Sequence, residues 1–175
     1  MIIGLIGYAR SGKDTVANVL VSKFGFTRLA FADGIRNALY ETNPLVGNSH
    51  RVKTVVDNYG WDEAKADPEI RRLMQAFGVA ARNHISSTVW VDIVKGQLHP
   101  SRNYVITDVR FMNEVEMLKD EYAQVWRIIR PNVNAVNNHV SEHELDGYEA
   151  DHTLFNDGSV EDLETLIKIR IQEAL

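Results

Sequence analysis

A chain of 175 residues, 45% hydrophobic and 25% charged, has the size and composition of one globular domain that can bury most of its apolar surface on folding. Its formal charge of −5 leaves no basic footprint for a nucleic-acid polymer, and no apolar run reaches the length of a membrane span. The absence of cysteine excludes disulfides and thiolate metal sites and agrees with a cytoplasmic setting.

In chain order, Ile2 to Ile6 is a short apolar run read as a strand, and Thr15 to Leu20 carries a helical pattern that stops near Gly25. Thr27 to Ala32 is rich in strand formers, and Asp33-Gly34 precedes a short helix bearing Ile35, Ala38 and Leu39. The stretch from Asn43 to Pro68 is polar and broken, which predicts a mobile insertion. From Glu69, the residues Ile70, Leu73, Met74, Phe77 and Ala81 share one helical face. Asn103 to Asp108 reads as a buried strand, Val109 to Lys119 as a helix, and Gln124 to Arg130 as a further strand closed by Pro131. Asn132 to His152 lacks periodicity and reads as a loop or small flap. Asn156-Asp157-Gly158 turns the chain, and Ser159 with Asp162 caps a last helix lined by Leu163, Leu166, Ile167 and Ile171.

Strands alternating with helices predict an α/β fold with a central parallel sheet, helices on both faces and a small lid. The whole chain, 1–175, is expected to be one domain, with 33–92 supplying acceptor-binding helices and 132–152 the lid. Ligands of such sheets bind beyond the carboxyl ends of the strands. The loop at Gly7 and the segments after Ala32, Asp108 and Arg130 all fall there.

The loop Gly7-Tyr8-Ala9-Arg10-Ser11-Gly12-Lys13 matches the spacing Gly, four residues, Gly-Lys, which arises by accident in roughly one chain in twenty of this length. Its place between a strand and a helix is the context the chemistry demands, because successive N–H groups and the helix dipole then point at phosphates. Lys13 would reach the β- and γ-phosphates and Arg10 would add a second cation. Asp14 stands where the usual magnesium-binding hydroxyl belongs, and Thr15 comes one position late. A carboxylate can hold magnesium through water, and Thr15 can still supply a hydroxyl. Lack of an Asn-Lys-x-Asp base reader argues against a GTPase.

Phosphoryl transfer between two phosphates needs cations around donor and acceptor alike. Asp33 and Arg36 follow the second strand, and Arg36 can clamp an acceptor phosphate; an exposed helix arginine is the plain alternative. Arg72, Gln75 and Arg82 lie opposite the apolar face of their helix, and Gln75 offers the donor and acceptor that a base edge needs. Trp90 can stack on a base or fill the core. Asp108 at a strand end suits magnesium or its waters, with Arg110 in reach of phosphate, or the two form a structural pair. Arg127 and Arg130 flank the last of these strands and can close over the transferred group. His139 and His143 with Glu142 and Glu144 have no metal-demanding spacing and read as a polar flap.

With these residues laid out, the chain resembles the bacteriophage-type deoxynucleoside monophosphate kinases over most of its length. The matching stretches are Gly7 to Thr15, Phe31-Ala32-Asp33, Arg72 to Gly78, Trp90-Val91, Asp108 to Glu114 and Asn156-Asp157-Gly158. The Arg-Ser-Gly-Lys-Asp core is also similar to that of animal-type phosphomevalonate kinases. The resemblance implies a P-loop kinase fold and magnesium-assisted transfer of the ATP γ-phosphoryl group to a dNMP. It places Arg10, Gly12, Asp14 and Thr15 at the ATP, and Ile35, Arg36 and Arg72 at the acceptor. A phosphomevalonate or other small-metabolite kinase is the same-class alternative, and a nucleotide-binding module without turnover is the alternative of another class. A homodimer is left open.

Overall fold

The computed structural model describes residues 1–134 and 143–173. In chain order its elements are β1 (Ile2–Ile6), α1 (Lys13–Phe24), β2 (Thr27–Leu29), α2 (Phe31–Thr42), β3 (Leu45–Val46), β4 (His50–Arg51), α3 (Val52–Ala64), α4 (Pro68–His84), α5 (Val89–Lys95), β5 (Tyr104–Ile106), α6 (Met112–Asp120), β6 (Gln124–Ile129), β7 (His152–Phe155) and α7 (Val160–Glu173). They group into two compact units, Met1–Ala30 with Lys95–Leu175, and Phe31–Val94. No helix among the described residues is long and apolar enough to cross a membrane.

The first unit is built on a five-stranded sheet in the order β2-β5-β1-β6-β7, with every neighbouring pair parallel. The register sets Ile3 beside Val105, Gly4 beside Val125 and Ile128 beside Leu154. Side chains alternate across a strand, and β1 shows what each face meets. Ile3 and Leu5 are fully buried with Val16 and Leu20 of α1 and with Leu163 and Ile167 of α7. On the opposite face, a β-carbon on Gly4 would run into Leu118 of α6. Helices therefore cover both faces, as the alternation of elements predicts. Because the strands are parallel, their carboxyl ends share one edge, where the segments beginning at Gly7, Thr107, Arg130 and Asn156 emerge.

The second unit is helical. Leu39 of α2, Val46, Val52, Ala64 and Ile70 form its buried centre, with Ile35, Val55, Val56, Trp61, Leu73, Met74 and Phe77 packed against them. The periodic face read on α4 is the one that is packed. Pro68 opens that helix at a position where its missing N–H costs nothing, and the Asp67 carboxylate accepts from Glu69 N at 2.7 Å.

Three expectations are corrected here. The strand after Thr27 ends at Leu29, and Phe31 to Gly34 already belong to α2. The stretch Asn43 to Pro68 is no irregular insertion: it folds into the β3–β4 hairpin and α3, which breaks at Gly60. Its apolar residues are sparse in sequence, yet Val46, Val52 and Ala64 all reach the core. Finally, His152–Phe155 is an edge strand of the five-stranded sheet, starting at His152, the last residue of the region read as a loop. The predicted 132–152 lid includes residues 135–142, with His139 and Glu142, which lie outside the described residues.

Candidate functional site

The loop between β1 and α1 takes its shape from three left-handed backbone positions, Gly7 (φ 135°), Arg10 (φ 67°) and Gly12 (φ 107°). A β-carbon at Gly7 would strike the Ile128 carbonyl of β6, so only glycine lets the loop leave the sheet this closely. Ser11 N donates to Tyr8 O at 3.2 Å, closing the loop on itself. Gly12 caps α1 without a side chain. The first-turn N–H groups, orphaned at any helix start, therefore face the loop's concavity with the positive end of the helix dipole behind them. The Lys13 ammonium donates to the Gly7 and Tyr8 carbonyls at 2.7 and 2.8 Å, which parks its charge over the loop. Ser11 is buried, and its Oγ has no hydrogen-bond partner among the described residues. A buried orphan hydroxyl is costly unless a ligand or water completes it.

Just past the end of β7, Asn156 supports the loop. Its Nδ2 donates to Ser11 O at 2.9 Å, while its own N–H donates to Ile129 O at 2.7 Å. The turn after β5 is held from within by Glu114, buried to 3% exposure, whose Oε2 accepts from Arg110 N at 2.7 Å and Phe111 N at 3.1 Å. That carboxylate fixes the backbone carrying half-buried Asp108 and Arg110.

A cleft of about 310 Å³ opens beside the loop. Gly7, Tyr8 and Ser11 line it together with Arg110, Arg127 and Arg130, and Val109, Val133 and Leu145 supply apolar wall. Three of the sequence-predicted cations of this unit, Arg110, Arg127 and Arg130, thus line one cleft, while Arg10 and Lys13 are not among its lining residues. Arg127 enters as part of the wall: its Nη2 donates to the Leu145 and Tyr148 carbonyls, each at 2.7 Å. Arg130 is exposed at the same rim. Asp146, also in the wall, accepts from the Tyr8 hydroxyl at 3.0 Å, and its other oxygen lies 2.9 Å from His143 Nδ1. The hydrogen bond with His143 is the main reason its carboxyl is held below the usual aspartate range; that from Tyr8 and the charges of His143 and Arg127 act the same way, against partial desolvation.

Asp14 is exposed and Thr15 half-buried in the first turn of α1. With Asp108 they offer hard oxygen donors of the kind magnesium takes, usually one or two carboxylates plus substrate phosphates. The donor set fits that ion. Among the described residues there is no group of three or more His, Asp or Glu that would hold a metal without substrate.

The remaining candidates, Asp33, Ile35, Arg36, Arg72, Gln75, Arg82 and Trp90, belong to the helical unit. Arg36 Nη1 pairs with Asp33 at 2.7 Å, and its Nε is buried without a partner among the described residues. Arg72 forks onto Glu69 at 2.8 and 2.7 Å, and this bond lowers the Glu69 pKa. Gln75 is exposed and Arg82 half-buried on the same helix. Ile35 packs beneath Gly78, where a β-carbon would crowd it. Trp90 requires a correction: it is 5% exposed, its indole N–H donates to Gly78 O at 3.1 Å, and its ring lies on Gly34 and beside Phe77. No face is left to stack on a base, so Trp90 is core.

Sequence reading missed Tyr8, Glu114, Asp146 and Asn156 as parts of the site. Glu114 was findable, standing three residues after Phe111 at a helix start. Asn156 and Asp146 act across 145 and 138 residues and leave no local signal.

A family model described as deoxynucleotide monophosphate kinase matches residues 48–167. A protein of Acanthamoeba polyphaga mimivirus, provisionally described by the same words, is 27% identical over 184 aligned positions that cover 93% of this chain and 91% of its own. The deoxynucleotide monophosphate kinase of Escherichia phage RB69 is 31% identical over 105 residues, 57% of this chain and 43% of the phage protein. This chain therefore matches less than half of that enzyme's length. Among solved structures, a shikimate kinase from Aquifex aeolicus superposes with a TM-score of 0.55 at 13% identity, covering 99% of this chain and 98% of that one. At that identity the likeness shows the fold alone, an α/β kinase fold with a parallel sheet.

Proposed function

The chain belongs to the deoxynucleotide monophosphate kinase family, and from that premise we propose that it transfers the γ-phosphoryl group of ATP to the phosphate of a deoxynucleoside monophosphate, giving ADP and the deoxynucleoside diphosphate. The observation that carries the reading is the convergence of Arg110, Arg127 and Arg130 on a cleft that the phosphate loop itself lines. A loop that only sensed nucleotide would need no such concentration of positive charge. Transfer between two phosphates needs it, because charge spreads over the moving group while the protein supplies position and field.

An oxygen of the acceptor phosphate attacks the γ-phosphorus in line. The bond from that phosphorus to the β–γ bridging oxygen breaks, and its electron pair leaves with ADP. The nucleophile is already an anion at neutral pH, so the chain contributes no covalent intermediate and no strong base. Gly7 to Lys13 and the first-turn N–H groups hold the donor phosphates, with Ser11 Oγ gaining the partner it lacks. Lys13 exchanges its two carbonyl contacts for phosphate oxygens, and Arg10 sits beside them. Magnesium, when bound, neutralises charge on the phosphate oxygens; Asp14, Thr15 and Asp108 are the residues that would hold it or its waters. Arg130 and Arg127 face the charge that develops on transfer, and Arg110 the acceptor side.

On the helical unit, Arg36 with Asp33 is assigned to the acceptor phosphate. Its unpartnered Nε supports this, because a guanidinium oriented by one carboxylate keeps further donors for a phosphate. Arg72, Gln75, Arg82 and Ile35 are assigned to the rest of the nucleotide. A coupled ADP-release assay over four dNMPs, the corresponding NMPs and mevalonate phosphate tests the reading. Turnover with dNMPs is expected, and turnover with mevalonate phosphate alone would overturn it.

A further inference from the structure

We propose that Tyr8 is a positioning residue that braces the phosphate loop against the turn His143–Tyr148 through Asp146, and so sets the affinity for the nucleotide donor. The inference rests on the kinase reading for its meaning but not for its test.

Tyr8 is attached at both ends. Its carbonyl accepts the Lys13 ammonium at 2.8 Å and Ser11 N at 3.2 Å, so its backbone is part of the loop's phosphate-facing shape. Its hydroxyl donates to Asp146 Oδ1 at 3.0 Å. A brace is only as firm as what it stands on, and the turn is well anchored. Arg127 of β6 binds the Leu145 and Tyr148 carbonyls. The Glu144 carboxylate accepts from Met112 N at 2.8 Å, at the start of α6, where an anion is favoured. Leu145 is buried, and His143 holds the second oxygen of Asp146. The Asp146 carboxylate is thus oriented before Tyr8 reaches it.

The Tyr8 ring also meets the His143 ring edge-on, with centroids 6.4 Å apart, a contact that Tyr8→Phe keeps. The crest of the loop has few other supports. Arg10 is exposed and left-handed, and Ser11 N–H to Tyr8 O is a short-range bond that travels with the loop. Asn156 steadies the far end, at Ser11. Removing the Tyr8 hydroxyl leaves the crest to be ordered by the incoming phosphates, and affinity falls by that ordering cost. One hydrogen bond to a carboxylate at a partly exposed site corresponds to about a three- to tenfold change in Kd.

The test is a double-mutant cycle read by equilibrium titration of ATP into Tyr8→Phe, Asp146→Ala and the pair, with melting temperatures as a control for folding. Each single variant is expected to weaken ATP binding about three- to tenfold, and the pair no further than the worse single, because both remove the same link. In turnover the KM for ATP should rise more than kcat falls, which a general loss of stability does not produce. Asp146→Asn, which keeps the size of this cleft-wall side chain and leaves the loop sequence unchanged, is titrated beside Asp146→Ala, so the test is carried even where Tyr8→Phe folds poorly. An ATP Kd within twofold of the parent in both singles, or effects that multiply in the pair, would overturn the proposal. A parent that binds ATP yet phosphorylates no dNMP would sink the kinase reading and leave this test intact.

Discussion

The side-chain amide of Asn156 fills the space that a β-carbon on Gly12 would need, and from there it donates to the neighbouring Ser11 carbonyl at 2.9 Å. Gly12 also has φ 107°, a region that costs a side-chain-bearing residue about 1–3 kcal/mol. Gly12→Ala therefore meets two obstacles at once, and ATP affinity should drop at least about tenfold. Asn156→Ala loses only the amide bond, so a loss of about 1 kcal/mol in stability is expected, with a smaller change in affinity than Gly12→Ala. Chemical denaturation and ATP titration of both variants check the ranking.

Lys13→Ala removes the cation whose donors now rest on Gly7 and Tyr8. In the proposed mechanism that charge stabilises the transferring phosphates, so kcat should fall by about a hundredfold or more. Undiminished ADP release would falsify the mechanism.

Arg36→Ala deletes the guanidinium paired with Asp33. With Arg36 assigned to the acceptor phosphate as proposed, KM for the dNMP should rise about tenfold or more, with the KM for ATP little changed. Separate saturation curves for the two substrates read the difference; equal rises in both would rule out the assignment.

Trp90→Phe keeps an aromatic ring but loses the bond to Gly78 O and some buried volume. The expected cost is about 1–3 kcal/mol of stability, with dNMP KM unchanged. A selective rise in dNMP KM at unchanged melting temperature would instead point to base stacking.

Asp146 links stability to pH. Its carboxyl is held below the ordinary aspartate value by the His143 hydrogen bond first, then by the Tyr8 hydroxyl and the nearby charges of His143 and Arg127. The unfolded chain takes up the proton more readily than the folded one. The contribution is therefore full above the ordinary value and is lost as pH falls through the lowered folded value. Melting curves of the parent and of Asp146→Asn should differ at neutral pH, keep that gap down to about pH 3.8, the unshifted value, and close it only as pH falls further through the lowered folded value; a gap that widened on acidification would have the wrong sign.

What could be read along the chain is what depends on neighbours in the chain. Ile2 to Ile6, the glycine–lysine loop and the helix ending at Gly25 follow one another within 25 residues, and their alternation, turn residues and caps are all local signals. The face of α4 and the Ser159–Asp162 cap, with Asp162 accepting from Ser159 N at 2.9 Å, were legible for the same reason. The two apolar periods also sufficed for a parallel sheet covered on both sides.

Tertiary contact decided the rest. β7 is four residues long and becomes a strand only because β6 lies beside it. Val46, Val52 and Ala64 look scattered in a polar stretch, and count as core only once Leu39 and Ile70 are beside them. Trp90 could be a stacking surface or a core residue until Gly78 and Phe77 enclose it. The phosphate loop shows the division most clearly. Its residue types are what lead to the phosphate-binding reading, because glycine torsions and a lysine charge are properties of single positions. The firmness of that loop rests on Asn156 at one end and Asp146 at the other, bonds that close only after the chain has folded over more than 130 residues.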